Sequence, residues 1–164
     1  MKTLLVFIIM GTLSYATASG QATNLEVNDI RLQYRSGISI QAGSPVVLGW
    51  SYDHFINTQI NVEIIGTYFG GSFWGLGAGL KFHIKKADSE LKWSPYIGLN
   101  YSRLHILFFT ESDYNIFYVP IGIQYYSKGG ITVSVEAAYL EGQDEDGDGL
   151  GTKIWGGLKI GYRW

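Results

Sequence analysis

The sequence contains no cysteine. That excludes a disulfide scaffold, a thiolate-ligated zinc site and a lipid anchor carried on an N-terminal cysteine. Proline occurs only three times in 164 residues, and charged residues make up only 16%. So little charge, beside 15% aromatic residues, excludes a coiled coil and a disordered chain. The net charge is −2 and no basic run or stripe occurs, so nucleic acid is not expected as a partner. Beyond the N-terminus there is no apolar run of the roughly 18 residues that a membrane-spanning helix needs. What is plentiful is glycine, at 22 residues, with 12 Tyr, 8 Phe and 5 Trp. The length suits one domain with its own core.

The N-terminus carries a targeting pattern. Met1-Lys2 gives a positive start, Leu4 to Met10 is apolar, and Ala16-Thr17-Ala18 is the small-x-small motif that signal peptidase reads. Cleavage is expected after Ala18, with Ala22 as second choice. Residues 1–18 are read as a signal peptide and residues 19–164 as one barrel domain.

The rest of the chain alternates with period two, as strands with one apolar face do. In the last segment Ile154, Leu158, Ile160, Tyr162 and Trp164 share one face, and Trp155, Gly157, Lys159, Gly161 and Arg163 share the other. Eight such segments are recognisable, beginning with an extended stretch from Ile30 to Gln41, and no helix is expected. Most segments have the ~9–11 residues that a tilted membrane-crossing strand needs, more than the ~5–6 of ordinary globular strands. Tight links such as Ser127-Lys128-Gly129-Gly130 alternate with longer ones, notably Leu107–Tyr114 and Leu140–Lys153. With entry from the periplasm, the long links fall outside the cell. The expected fold is all-β: an eight-stranded antiparallel up-and-down transmembrane β-barrel.

The two faces decide which solvent each meets. One is apolar and ends in aromatics, among them Trp50, Tyr52, Trp74, Tyr101, Phe117, Tyr139, Tyr162 and Trp164, as in the interfacial girdles of membrane barrels. The other mixes small residues (Gly49, Gly75, Gly77, Gly79, Gly98, Gly122) with charges. A soluble barrel could hardly hold so many rings inside eight strands. The apolar face is therefore assigned to lipid and the polar face to the lumen.

The signal peptide, the repeated Gly/aromatic alternation and the final strand ending Gly161-Tyr162-Arg163-Trp164 resemble the small eight-stranded outer-membrane β-barrel family of the OmpA and OmpX type. The resemblance implies location in the outer membrane of a Gram-negative cell and a monomer. Its partners would be membrane lipid and lipopolysaccharide, with the C-terminal strand read by the barrel-assembly machinery. Most relatives end on Phe, where this chain has Trp164.

On the lumen face Arg31, Arg35, Lys81, Lys159 and Arg163 meet Asp53, Glu63 and Glu136, with His83 nearby. A plug of ion pairs filling a narrow lumen is expected, rather than an ion path. No catalytic residue is assigned. Barrels that deacylate lipid A carry His and Ser two residues apart, whereas His105 is followed by Leu107 and His83 by Lys85. The expected function is that of a non-enzymatic, porin-like envelope barrel with a plugged interior and a structural or surface-interaction role. A lipid A-modifying enzyme and a soluble lipocalin-like ligand binder are the alternatives. No cofactor is expected beyond weakly bound Ca²⁺. Asp144, Asp146 and Asp148, with Gly147 and Gly149, start like a calcium loop, but its twelfth position is Trp155 and not a bidentate Glu.

Overall fold

The computed structural model describes residues 29–43, 46–69, 73–84, 92–107, 112–144 and 153–164. The signal peptide lies outside them. One helical turn, α1 (Ile30–Gln33), precedes eight strands: β1 (Ser36–Gly43), β2 (Val46–Phe55), β3 (Ile60–Phe69), β4 (Phe73–His83), β5 (Trp93–Ile106), β6 (Ser112–Tyr126), β7 (Ile131–Asp144) and β8 (Lys153–Arg163). Each strand pairs antiparallel with the next, and β1 closes on β8, so the sheet is a closed up-and-down barrel. Partners followed from Gly43 through Gly157, Glu136, Gly122 and Tyr96 to His83 descend around the wall, the stagger that closure requires.

Period-two alternation determines which way each side chain points. Even-numbered residues face out in β1–β4 and β8, as do odd-numbered ones in β5–β7. Ile38, Ile40, Leu76, Leu80, Leu99, Ile121, Val135, Leu158 and Ile160 are all exposed. The aromatics Trp50, Tyr52, Trp74, Tyr101, Phe117, Tyr139, Tyr162 and Trp164 lie on that outer face, towards its two rims. Among the described residues, its positions from girdle to girdle carry no Asp, Glu, Lys or Arg.

The turn end is compact. Residues 127–130 close β6–β7 through Ser127 N to Ile131 O at 2.8 Å and Gly130 N to Ser127 O at 3.2 Å, with Gly130 at φ +87°, which only glycine adopts without strain. At the other end β5, β6 and β7 run further than the sequence suggests. β6 starts at Ser112, within the expected Leu107–Tyr114 loop, and β7 continues past Leu140 to Asp144.

The expectation of a strand from Ile30 and of no helix is corrected. Asp29 caps α1 by accepting from the Arg31 backbone N–H at 2.9 Å, and the chain becomes extended only at Ser36. A carboxylate at the N-cap satisfies an N–H that a helical turn would otherwise leave unpaired, and here that local bond outweighs the apolar alternation.

Candidate functional site: the filled lumen

The inward residues form tiers from the turn end upward. In the lowest, α1 tucks under the barrel. Arg31 is fully buried and grips Asp29 with two side-chain bonds, Nε to Oδ1 at 3.0 Å and Nη2 to Oδ2 at 2.8 Å. Its Nη1 donates to Ser94 Oγ at 3.2 Å, and that hydroxyl is 3.0 Å from His83 Nδ1. Arg163, from the last strand, uses all three guanidinium nitrogens. Nε donates to Tyr34 O at 2.9 Å, Nη2 to Arg35 O at 2.6 Å and Nη1 to Asp53 Oδ2. The guanidinium also lies 4.5 Å from the Phe55 ring centroid. Asp53 accepts a further bond from Asn61 Nδ2 at 2.6 Å.

Above this, Glu63 is shared by two lysines. Lys81 Nζ and Lys159 Nζ each donate to Oε1 at 2.9 Å, and Lys159 reaches Oε2 at 3.2 Å. Glu136 stands 3.9 Å from Lys159 and accepts from the Tyr96 hydroxyl at 2.5 Å. Lys81 also lies 5.1 Å from the Tyr96 ring centroid. Among the described residues the buried cations Arg31, Lys81, Lys159 and Arg163 match the buried anions Asp29, Asp53, Glu63 and Glu136. A lone buried charge is costly, so this balance is what allows eight charges to be enclosed by one small sheet.

The loop-end half of the lumen is different. Ile65, Leu104, Ile116, Tyr118, Ala138 and Leu140 form a buried apolar cluster, with Phe73 and Tyr114 against it. The expectation of a polar plug is therefore corrected: the charges lie towards the turn end, while towards the loop end an apolar cluster packs beside the buried Ser102 and Thr67. Arg35 is corrected too. It is exposed, and only its carbonyl turns towards Arg163. Asp29, the actual partner of Arg31, had no place in the sequence-based lumen set.

Of the three residues proposed for calcium, Asp144 is the last residue of β7 and pairs in register with Tyr114. Asp146 and Asp148 lie outside the described residues. Among the described residues no group of three or more His, Cys, Asp or Glu side chains could hold a metal.

Two fragments of acyl-transfer chemistry occur on the outer face. Ser36 Oγ lies 3.0 Å from His54 Nδ1 at the turn end. At the loop end His105 Nδ1 lies 2.5 Å from Asp113 Oδ1, while Arg103 Nη2 holds Oδ2 of the same carboxylate at 2.5 Å. A triad needs serine, histidine and acid in one hydrogen-bonded chain. These two pairs sit at opposite rims and do not combine.

No protein-family model matches the sequence, and no curated protein does. Solved structures do resemble it. The N-terminal β-barrel domain of Pseudomonas aeruginosa OprF is 11% identical, with 80% of this chain and 98% of that chain covered and a TM-score of 0.63. Neisserial surface protein A is 18% identical, with 79% and 93% covered and a TM-score of 0.40. The closed meander and the OprF match together give this chain the fold of the small eight-stranded outer-membrane β-barrels.

Proposed function

We infer that the protein is a non-enzymatic integral outer-membrane barrel with a sealed lumen and a structural or surface-interaction role. The observation that carries this reading is the inversion of polarity: eight paired charges inside, and an outer band free of Asp, Glu, Lys and Arg among the described residues. In water that arrangement exposes dozens of apolar side chains and hides the charges. In a bilayer it is the stable one, because a closed barrel satisfies its backbone internally and turns its apolar face to lipid. Lipid and lipopolysaccharide are then the immediate partners. β8, with Tyr162 and Trp164 outward, is the segment offered to the assembly machinery.

The plug supports a barrier role rather than a pore. Ion pairs and the apolar cluster occupy the lumen in succession, and an eight-stranded barrel has room for side chains and little else. Membrane fractionation tests the reading. The protein should leave the outer-membrane fraction only with detergent and should migrate faster on a gel unheated than boiled. Recovery as a soluble periplasmic species would overturn it.

A further inference from the structure

α1 is attached to the barrel differently from the strands. Its backbone bonds stay within the turn: Leu32 N and Gln33 N donate to Asp29 O at 2.9 and 3.2 Å, and Tyr34 N to Ile30 O at 3.1 Å. Pairing with the wall begins at Arg35 O, which accepts from Phe55 N at 2.9 Å. Among the described residues, the side-chain hydrogen bond from residues 29–33 to the wall is Arg31 Nη1 to Ser94 Oγ at 3.2 Å. Tyr34 is where the two regimes meet. Its carbonyl and that of Arg35 are pinned by Arg163, and its hydroxyl donates to Lys128 O at 3.2 Å. Its backbone, at φ −122° and ψ 74°, is neither helical nor in the strand range. Rotation about its N–Cα bond would move residues 29–33 and leave those wall contacts in place.

The buried charges divide in the same way. Asp29 neutralises Arg31 from two residues away: Oδ1 accepts from Arg31 N at 2.9 Å and Nε at 3.0 Å, and Oδ2 from Nη2 at 2.8 Å. The other described buried ion pairs, Arg163–Asp53, Lys81–Glu63 and Lys159–Glu63, each join two strands. Without residues 29–33 the lumen still holds three buried cations, Lys81, Lys159 and Arg163, against three buried anions, Asp53, Glu63 and Glu136. Separating an inter-strand pair strands a charge in the interior, whereas moving Asp29 with Arg31 carries a neutral pair into water. Against the turn stand Phe55, His83 and Tyr126, all buried, with ring centroids 5.0, 6.2 and 6.3 Å apart. Tyr126 OH and His83 Nε2 have no hydrogen-bond partner among the described residues. Buried polar atoms of that kind are costly, and water reaching them would satisfy both. A cleft lined by Ile30, Tyr34, Tyr126, Ser127, Thr132 and Arg163 runs along the margin of the turn.

We propose that residues 29–33 form a lid on the turn-end mouth of the barrel, swinging out about Tyr34 as one neutral piece and letting water into the lower tier. Such an opening belongs to the low-energy end of local motions, because it breaks few wall contacts and orphans no charge. The apolar cluster at the loop end is untouched by it, so the lid opens a blind chamber and not a pore.

The test uses the unaltered protein in detergent micelles, where both rims meet water. A water-soluble carbodiimide with glycine ethyl ester reports on carboxylates, and diethyl pyrocarbonate reports on His83. Labelled residues are located by peptide mass spectrometry. The expected result is labelling of Asp29 and His83 in the folded barrel, while Glu63 and Glu136, also buried, stay unlabelled. Ser94→Ala removes the bond from Arg31 and should speed the labelling of Asp29 on the order of tenfold, with Glu63 unchanged. If that variant fails to fold, the unaltered protein decides the matter alone. Asp29 labelled no faster than Glu63 would make the turn a fixed part of the wall and overturn the lid. Either Asp29 or His83 labelled without the other would overturn it, as would a Ser94→Ala rate for Asp29 equal to that of the unaltered protein. Labelling of Asp29, His83, Glu63 and Glu136 together would report opening of the whole barrel and refute a separate lid.

Discussion

Arg163→Ala should be among the most damaging single substitutions in the barrel. The side chain is buried and joins three separate pieces of chain: Asp53 on β2, the carbonyls of Tyr34 and Arg35 ahead of β1, and its own strand β8. It stands at the seam where Ser36 and Trp164 exchange backbone bonds, Trp164 N to Ser36 O at 2.9 Å and Ser36 N to Trp164 O at 3.3 Å. Removing one partner of a buried ion pair costs ~3–5 kcal/mol, because the other charge stays enclosed. Asn61 still donates to Asp53 and softens that loss. The two carbonyls each lose a charge-assisted bond, but such losses are not additive, and about 4 kcal/mol is the expected total. Arg163→Lys keeps a charge for Asp53 and forfeits the fork that reaches both carbonyls, so it should fall between Ala and wild type. Urea unfolding in detergent micelles, read by gel mobility, measures both. A double-mutant cycle with Asp53→Ala should return a coupling of ~1–3 kcal/mol. A loss below ~1 kcal/mol for Arg163→Ala, additive with Asp53→Ala, would refute the view that this guanidinium holds the seam.

Other consequences follow from the same geometry. Leu158→Arg places a charge on the lipid face and should cost ~2–4 kcal/mol of barrel stability in bilayers, whereas a charge in an outer loop should cost almost nothing; equal tolerance would contradict the face assignment. If the lumen is sealed as proposed, purified protein in planar bilayers should give no large, stable, porin-like conductance, because the ion pairs and the apolar cluster stand one above the other inside a narrow barrel. We also propose that the acidic stretch binds calcium weakly. Calorimetry should show a dissociation constant of ~10⁻⁴–10⁻³ M, lost when Asp144, Asp146 and Asp148 are all changed to Asn; identical, negligible heats would leave it a solvated loop.

The architecture was legible because period two is a strong signal when it persists. In a strand Lys159 must face away from Leu158 and Ile160, and the same logic orients every wall segment. The inner ion pairs were legible as a set but not as partners. Glu63 and Lys159 are 96 residues apart, and only the register of the closed sheet brings them together. Where the signal was short, it misled. Ile30 to Tyr34 alternates over too few residues to distinguish a strand from one capped turn, and Asp29 decides the matter locally. The apolar upper lumen went unread for a related reason. Leu104 and Ile116 flank the expected Leu107–Tyr114 loop, and Ile65 directly follows Ile64, so two adjacent isoleucines leave alternation with no single apolar face to select. The pairing of His105 with Asp113 depends on the extension of β5 and β6 beyond the girdle, where the polarity of the two faces reverses: Arg103, His105 and Asp113 stand on the outer parity and Leu104 on the inner.

The central claim is that lipid lies outside and ion pairs inside. The chain has no cysteine, so single cysteines placed at Leu158, Lys159, Ile160, Gly161 and Tyr162 can each carry a nitroxide in an otherwise native background. Collision with dissolved oxygen, which concentrates in bilayer hydrocarbon, is then measured along β8. The account predicts alternation, with high accessibility at 158, 160 and 162 and low at 159 and 161. Maxima at 159 and 161, or a flat profile across all five positions, would contradict it.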